Sequence, residues 1–155
     1  MTDSIDHGAA HRFFSADFFS RTCDLLVQRD RSDADIEMMI GLAHASRVHW
    51  RHRDDWSPKN QTIGAWQLSR VYSIAGRPDE ALRYGTESLD IARGTGAGAF
   101  YVGYGHEAVA RAAATLGDSE AAGLHLAAAR NLLNTIEEPE DRAALASDLD
   151  SIAPG

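Results

Sequence analysis

Apolar positions along this chain fall at helical spacing from one end to the other. From Ala9 to Arg29 the stripe is Phe14, Phe18, Phe19, Thr22, Leu25 and Leu26, spaced three or four apart. Asp30-Arg31-Ser32 closes that helix, and Ser32 or Asp33 can cap the next one, with Glu37 in its first turns. The second helix then puts Ile36, Met39, Ile40, Ala43, Arg47 and Trp50 on one side, and the turn-rich run from Asp54 to Asn60 ends it. Further helices are predicted from about Lys59 to Ala75, from Pro78 to about Arg93, and from about Phe100 to Leu116. Another runs to about Asn134, and a polar one lies between Glu137 and Ser151. No segment sustains the strict alternation of a strand. The fold class is therefore all-α, with about seven helices.

Part of this pattern occurs twice. The stretch Leu68 to Leu82 matches Val109 to Gly123, with Arg70 falling on Arg111, Gly76 on Gly117 and Ala81 on Ala122. The offset is 111 − 70 = 41. In each copy a glycine ends one helix and acidic residues open the next: Gly76-Arg-Pro-Asp-Glu80 and Gly117-Asp-Ser-Glu120. A recurring helix pair is too small to bury its own apolar face, so copies must stack.

These residues resemble the tetratricopeptide (TPR) family. Leu68 stands at the first-helix leucine, Tyr72 at the aromatic, Gly76 at the turn glycine, and Ala81 and Ser88 at the two small positions. The second unit keeps Gly117, Ala122 and Ala129 but places Val109, Ala110 and Ala113 where the family has Leu, Gly and Tyr. The offset exceeds the family's roughly 34 residues, and the excess falls in the linker Gly94-Thr-Gly-Ala-Gly98. The resemblance implies a short right-handed, TPR-like stack of antiparallel helix pairs, used for binding and not for a reaction. Residues 1–155 then read as a single TPR-like domain: an N-terminal helix pair at 9–53, repeats at 62–95 and 103–136, and a capping helix at 139–152. The segment from His44 to Trp50 also resembles one in small bacterial proteins and brings no activity with it.

Composition narrows the function. The formal net charge is −8 with histidines neutral, which opposes nonspecific nucleic-acid binding, because that needs a positive field to displace counterions. Cys23 is the one cysteine, so no internal disulfide forms and a reducing compartment fits. The start, Met1-Thr-Asp-Ser-Ile-Asp-His7, has neither the basic nor the apolar region of a signal peptide. No apolar run approaches the roughly 18 residues of a membrane span. The expected location is cytoplasmic, away from membranes.

At 100° per residue, Leu68, Val71, Tyr72 and Ala75 occupy about a 100° sector that should face the partner helices. Ile63, Trp66, Gln67, Arg70 and Ile74 form a separate stripe, and the second unit offers Tyr104, Glu107, Ala108, Arg111 and Thr115 in the same register. In the family, that stripe lines the concave groove. The expected site is thus Ile63, Trp66, Arg70, Tyr104, Glu107 and Arg111, with two planar guanidinium forks suited to carboxylate or phosphate and an indole able to stack. The expected partner is a protein or peptide, possibly acidic, with a second copy of the chain (a homodimer, through the unburied Phe13) also possible. The family's carboxylate clamp uses Lys and Asn at these places, so that particular ligand does not carry over. The alternative is structural: Glu107 pairs with Arg111, and the N-terminal helix pair packs Trp66 and Arg70.

Histidines supply the competing class, a metal-dependent enzyme or small-molecule binder. His44, His49 and His52 lie within nine residues. His44 and His49 are five apart, about 140° around a helix, and point apart. His49 and His52 are three apart and can share an ion, yet no Cys, Asp or Glu stands at ligand spacing beside them. The other reading is a basic, solvated helix end, since Arg51, His52 and Arg53 suit a negative helix C-terminus. His106 is expected near the groove rim. The glycine-rich linker lacks the Gly-Lys-Ser/Thr of a phosphate loop. No cofactor, metal or catalytic set is expected.

Overall fold

The computed structural model describes residues 5–153. Those residues form seven helices and no strand: α1 (His7–Val27), α2 (Asp33–Arg51), α3 (Pro58–Ile74), α4 (Pro78–Gly94), α5 (Ala99–Leu116), α6 (Ser119–Leu133) and α7 (Pro139–Asp150). The all-α expectation holds, and the helix boundaries fall within about two residues of those expected for most elements.

Local chemistry explains the punctuation. Ser32 Oγ accepts from the Asp35 amide while the Asp35 carboxylate accepts from the Ser32 amide, a reciprocal cap that starts α2. Proline opens α3, α4 and α7, where its missing N–H costs nothing. Gly76 and Gly117 sit at φ of +70° and +79°, the left-handed region that lets the chain reverse between paired helices.

Successive helices pack: α1 on α2, α3 on α4, α4 on α5 and α5 on α6, while α3 also lies along α5, and α7 lies on α5 and α6. Helix α5 is therefore central, and its composition suits that place. Gly105, His106, Glu107, Ala108, Val109, Ala110, Ala112 and Ala113 are all buried. Gly105 is required by backbone proximity, because a Cβ there would lie 2.6 Å from Leu89 Cα on α4. Two apolar clusters result. One joins α2, α3, α4 and α5 through Met39, Ala43, Leu68, Val71, Tyr72, Ala81, Tyr84 and Ala112. The other seats α7 and the residue Ile152 after it, through Leu145, Leu149 and Ile152, against Ala110 of α5 and Ala129 of α6. Ala81 and Ala122 are buried, as their shared place after the turn glycines predicts.

The first pair differs from the sequence expectation. Phe14, placed in the buried stripe, is 37% exposed, while Thr22 of that stripe is fully buried, as is Ser15, which lies outside it. Ser15 lies at the crossing with α2, where its carbonyl accepts from Ser46 Oγ at 2.7 Å and its hydroxyl accepts from Arg53 at 3.0 Å. A short polar side chain with partners lets two backbones approach more closely than a phenyl ring would. Phe13 is 62% exposed, consistent with its place outside the stripe.

Candidate functional site

The α3 and α5 stripes meet around one carboxylate. Glu107 is 1% exposed, and three donors reach it: Arg111 Nε at 2.7 Å, Trp66 Nε1 at 3.1 Å, and Arg70 Nη1 at 3.4 Å. A buried acid is tolerated when its lone pairs are filled this way. The arginines then extend to α7. Arg70 Nη2 donates to Asp148 Oδ1 at 2.9 Å, and Tyr104 Oη donates to Asp148 Oδ2 at 2.9 Å. Arg111 Nη2 reaches the Asp148 carbonyl at 3.0 Å and Ser151 Oγ at 2.8 Å. Burial, and then the Asp148 carboxylate, hold the Tyr104 phenol well above its ordinary pKa, so it stays a donor. The guanidinium of Arg70 lies 5.7 Å from the Trp66 ring centroid, and Tyr104 meets the same indole edge-on at 5.5 Å.

Arg70 and Arg111 keep 17% and 18% of their side-chain surface. Their charge is balanced: two arginines against Glu107 and Asp148 gives 2 − 2 = 0. The structural reading of these residues is thus present in the geometry, with one change. Helices α5 and α7 supply the polar partners of Trp66 and Arg70, and α1 of the N-terminal pair faces them across a cleft.

What lies toward the N-terminal pair is open. A cleft of about 470 Å³ is bounded by Cys23, Leu26 and Val27 of α1, by Trp66, Arg70, Ser73 and Ile74 of α3, and by Arg111 and Thr115 of α5. On the other side of Trp66 lies a second cavity of about 270 Å³, almost wholly apolar, walled by Thr62, Ile63, Phe100, Tyr101 and Tyr104. Trp66 is the partition, and its N–H is fixed by Glu107. Ile63 lines this apolar cavity and another against α1, and is not part of the ion network.

Sequence reasoning missed Asp148 and the α1 rim. Asp148 had a signal: it continues the repeat offset, since 148 − 107 = 41 and 107 − 66 = 41. Trp66, Glu107 and Asp148 thus hold one register on α3, α5 and α7. Cys23 and Val27 had none, because nothing in the spacing of α1 says which of its faces looks toward α3.

The histidines separate into three places. His44 Nε2 meets Tyr72 Oη at 2.9 Å, between α2 and α3. His49 and His11 approach at 2.8 Å between their Nδ1 atoms, and His52 stacks on His11 at 4.9 Å. His106 is buried, not at a rim: its Nε2 faces Arg93 at 3.0 Å and its Nδ1 faces His125 at 2.8 Å. An Arg donor at Nε2 leaves the proton on Nδ1, which His125 then accepts. Burial, then Arg93, then His125 hold the pKa of His106 down to about 4. The rim expectation failed because α5 is enclosed by α4 and α6, so the residue beside Glu107 faces inward as well. Among the described residues, no group of three or more His, Cys, Asp or Glu is placed to hold a metal ion, and no helix is long and apolar enough to cross a membrane.

Compared with known proteins, the chain matches no family model, no curated protein and no solved structure.

Proposed function

We propose that this chain is a non-catalytic recognition module, a TPR-like stack whose first helices form a concave surface that takes a segment of a protein partner. The observation that carries the reading is the partitioned site: an open, part-polar cleft and an apolar cavity on either side of Trp66, on the face shared by α3 and α5. One apolar side chain of a bound segment fits the cavity lined by Ile63, Trp66 and Tyr104. Its backbone runs along the cleft past the remaining edges of Arg70 and Arg111. An acidic side chain on the partner reaches these arginines only in competition with Asp148, so apolar contact and shape carry more of the recognition than charge does.

The test is selection from a displayed random-peptide library, followed by amide and indole NMR of a selected peptide on the protein. Expected are shifts at the Trp66 indole N–H and at residues 70–74 and 111–115, and loss of binding in Val27→Asp, whose side chain stands on the cleft rim. Selected peptides that bind Val27→Asp as well as wild type, or a library that yields no binder, would overturn the reading.

A further inference from the structure

A second cluster of arginines lies away from this site and is not balanced. His44, Arg47, Val48 and Arg51 of α2 face Arg83, Tyr84 and Glu87 of α4 across a cavity of about 330 Å³. Arg47 pairs with Glu87, its only hydrogen-bond partner among the described residues. The same Glu87 oxygen also accepts from Gln61. The Nε of Arg47 is buried with no acceptor, so one carboxylate serves a guanidinium that has five donors. Arg51 and Arg83 make no ion pair among the described residues; Arg83 rests on the Tyr84 ring at 4.2 Å. In a chain of net charge −8, with acids outnumbering bases 23 to 15, three arginines sharing one acid is an exception.

The charged side chains lining this cavity sum to 3 − 1 = +2, from Arg47, Arg51 and Arg83 against Glu87. His44 adds nothing at neutral pH, since burial and then the neighbouring Arg47 and Arg83 hold it in its neutral form. Planar forks from two helices, carrying two uncompensated positive charges, match a dianionic tetrahedral oxyanion, for which arginine supplies paired donors. Val48 and Tyr84 at the edge add an apolar and aromatic shelf beside it.

We propose that the α2–α4 cavity binds a phosphate dianion, free or as a monoester, through Arg47, Arg51 and Arg83. This site shares no residue with the cleft around Trp66 and stands or falls independently of it.

Calorimetric titration with inorganic phosphate, phenyl phosphate and benzenesulfonate, each against sodium chloride of matched ionic strength, tests it. Expected is saturable binding of both phosphates, with the monoanionic sulfonate weaker. Equal affinity for the two phosphates assigns the free ion; tighter phenyl phosphate assigns a monoester whose organic group lies on Tyr84. Arg51→Gln and Arg83→Gln, which break no ion pair, should each weaken binding about tenfold, one charge-assisted bond apiece. Val27→Asp should bind phosphate as wild type does. Heats no greater than those of sodium chloride, a double Arg51→Gln/Arg83→Gln variant that binds like wild type, or benzenesulfonate binding as tightly as phenyl phosphate, would each overturn the proposal.

Discussion

The molecule uses arginine in two opposite ways. Arg70 and Arg111 on α3 and α5 close on Glu107 and Asp148 and leave a neutral, hydrogen-bonded knot. Arg47, Arg51 and Arg83 on α2 and α4 crowd around a single Glu87 and leave donors without acceptors. Both sets bring arginines from two different helices to one place. Their difference lies in what the facing helix brings. Helix α7 and its C-cap Ser151 deliver an acid, a carbonyl and a hydroxyl to the first set, whereas α4 delivers one acid and another arginine to the second. An arginine whose partners are internal ties elements together; one without them is available to an outside anion.

The largest expected effect breaks the first set. Arg70→Ala/Arg111→Ala leaves Glu107 buried with no cation, and urea denaturation should show a loss of about 3–5 kcal/mol. Arg51→Gln/Arg83→Gln should stay within about 0.5 kcal/mol of wild type, as for surface positions without partners. Equal losses in the two double variants would erase the contrast.

Acid acts instead on a buried, neutral imidazole. His106 has a folded pKa of about 4 against an ordinary value of 6.5, so it is neutral in the fold where the unfolded chain already takes a proton. That contribution is fully present above pH 6.5 and is lost as pH falls toward 4, at about 3 kcal/mol for the whole window. His125 is shifted in the same direction, by burial and then by Arg93. Stability measured across this range should fall less in His106→Gln than in wild type, and an unchanged pH slope would mean that the imidazole pair does not titrate with folding.

Gly105→Ala is the next step down. Its Cβ would meet the α4 backbone at Leu89, so α5 must shift away and carry Glu107 with it. A cost of about 1–3 kcal/mol is expected, together with a changed environment for the Trp66 indole. Indole fluorescence identical to wild type in the variant would show that the knot tolerates movement of α5. The smallest effect belongs to the cleft rim: Val27 is 81% exposed, so Val27→Asp should leave the melting temperature nearly unchanged while changing what the cleft accepts.

Much of this arrangement was legible in the chain. The turn glycines, the opening prolines of α3, α4 and α7, and the small residues Ala81 and Ala122 follow from backbone rules that operate within a few residues. The repeat offset puts Trp66, Arg70, Glu107 and Arg111 on matching faces, and the same offset extends to Asp148. Less was legible about α1, where Thr22 of the expected stripe is buried but Phe14 is exposed and Ser15, outside the stripe, is fully buried. Hydrophobic periodicity ranks phenyl above hydroxyl and has no term for a close helix crossing with Ser46.

By itself the sequence determined an all-helical chain, the limits of its helices, and the shared register of Arg70 and Arg111. Those depend on local propensity, on capping and on period, which are written along the chain. Only the tertiary structure decided which arginines are paired. It also decided that His106 is enclosed and that Trp66 divides two cavities. Each of these depends on which side chain a distant helix presents within about 3 Å, and a hydrogen bond of that length forms or fails on the packing angle, which spacing along one helix does not contain.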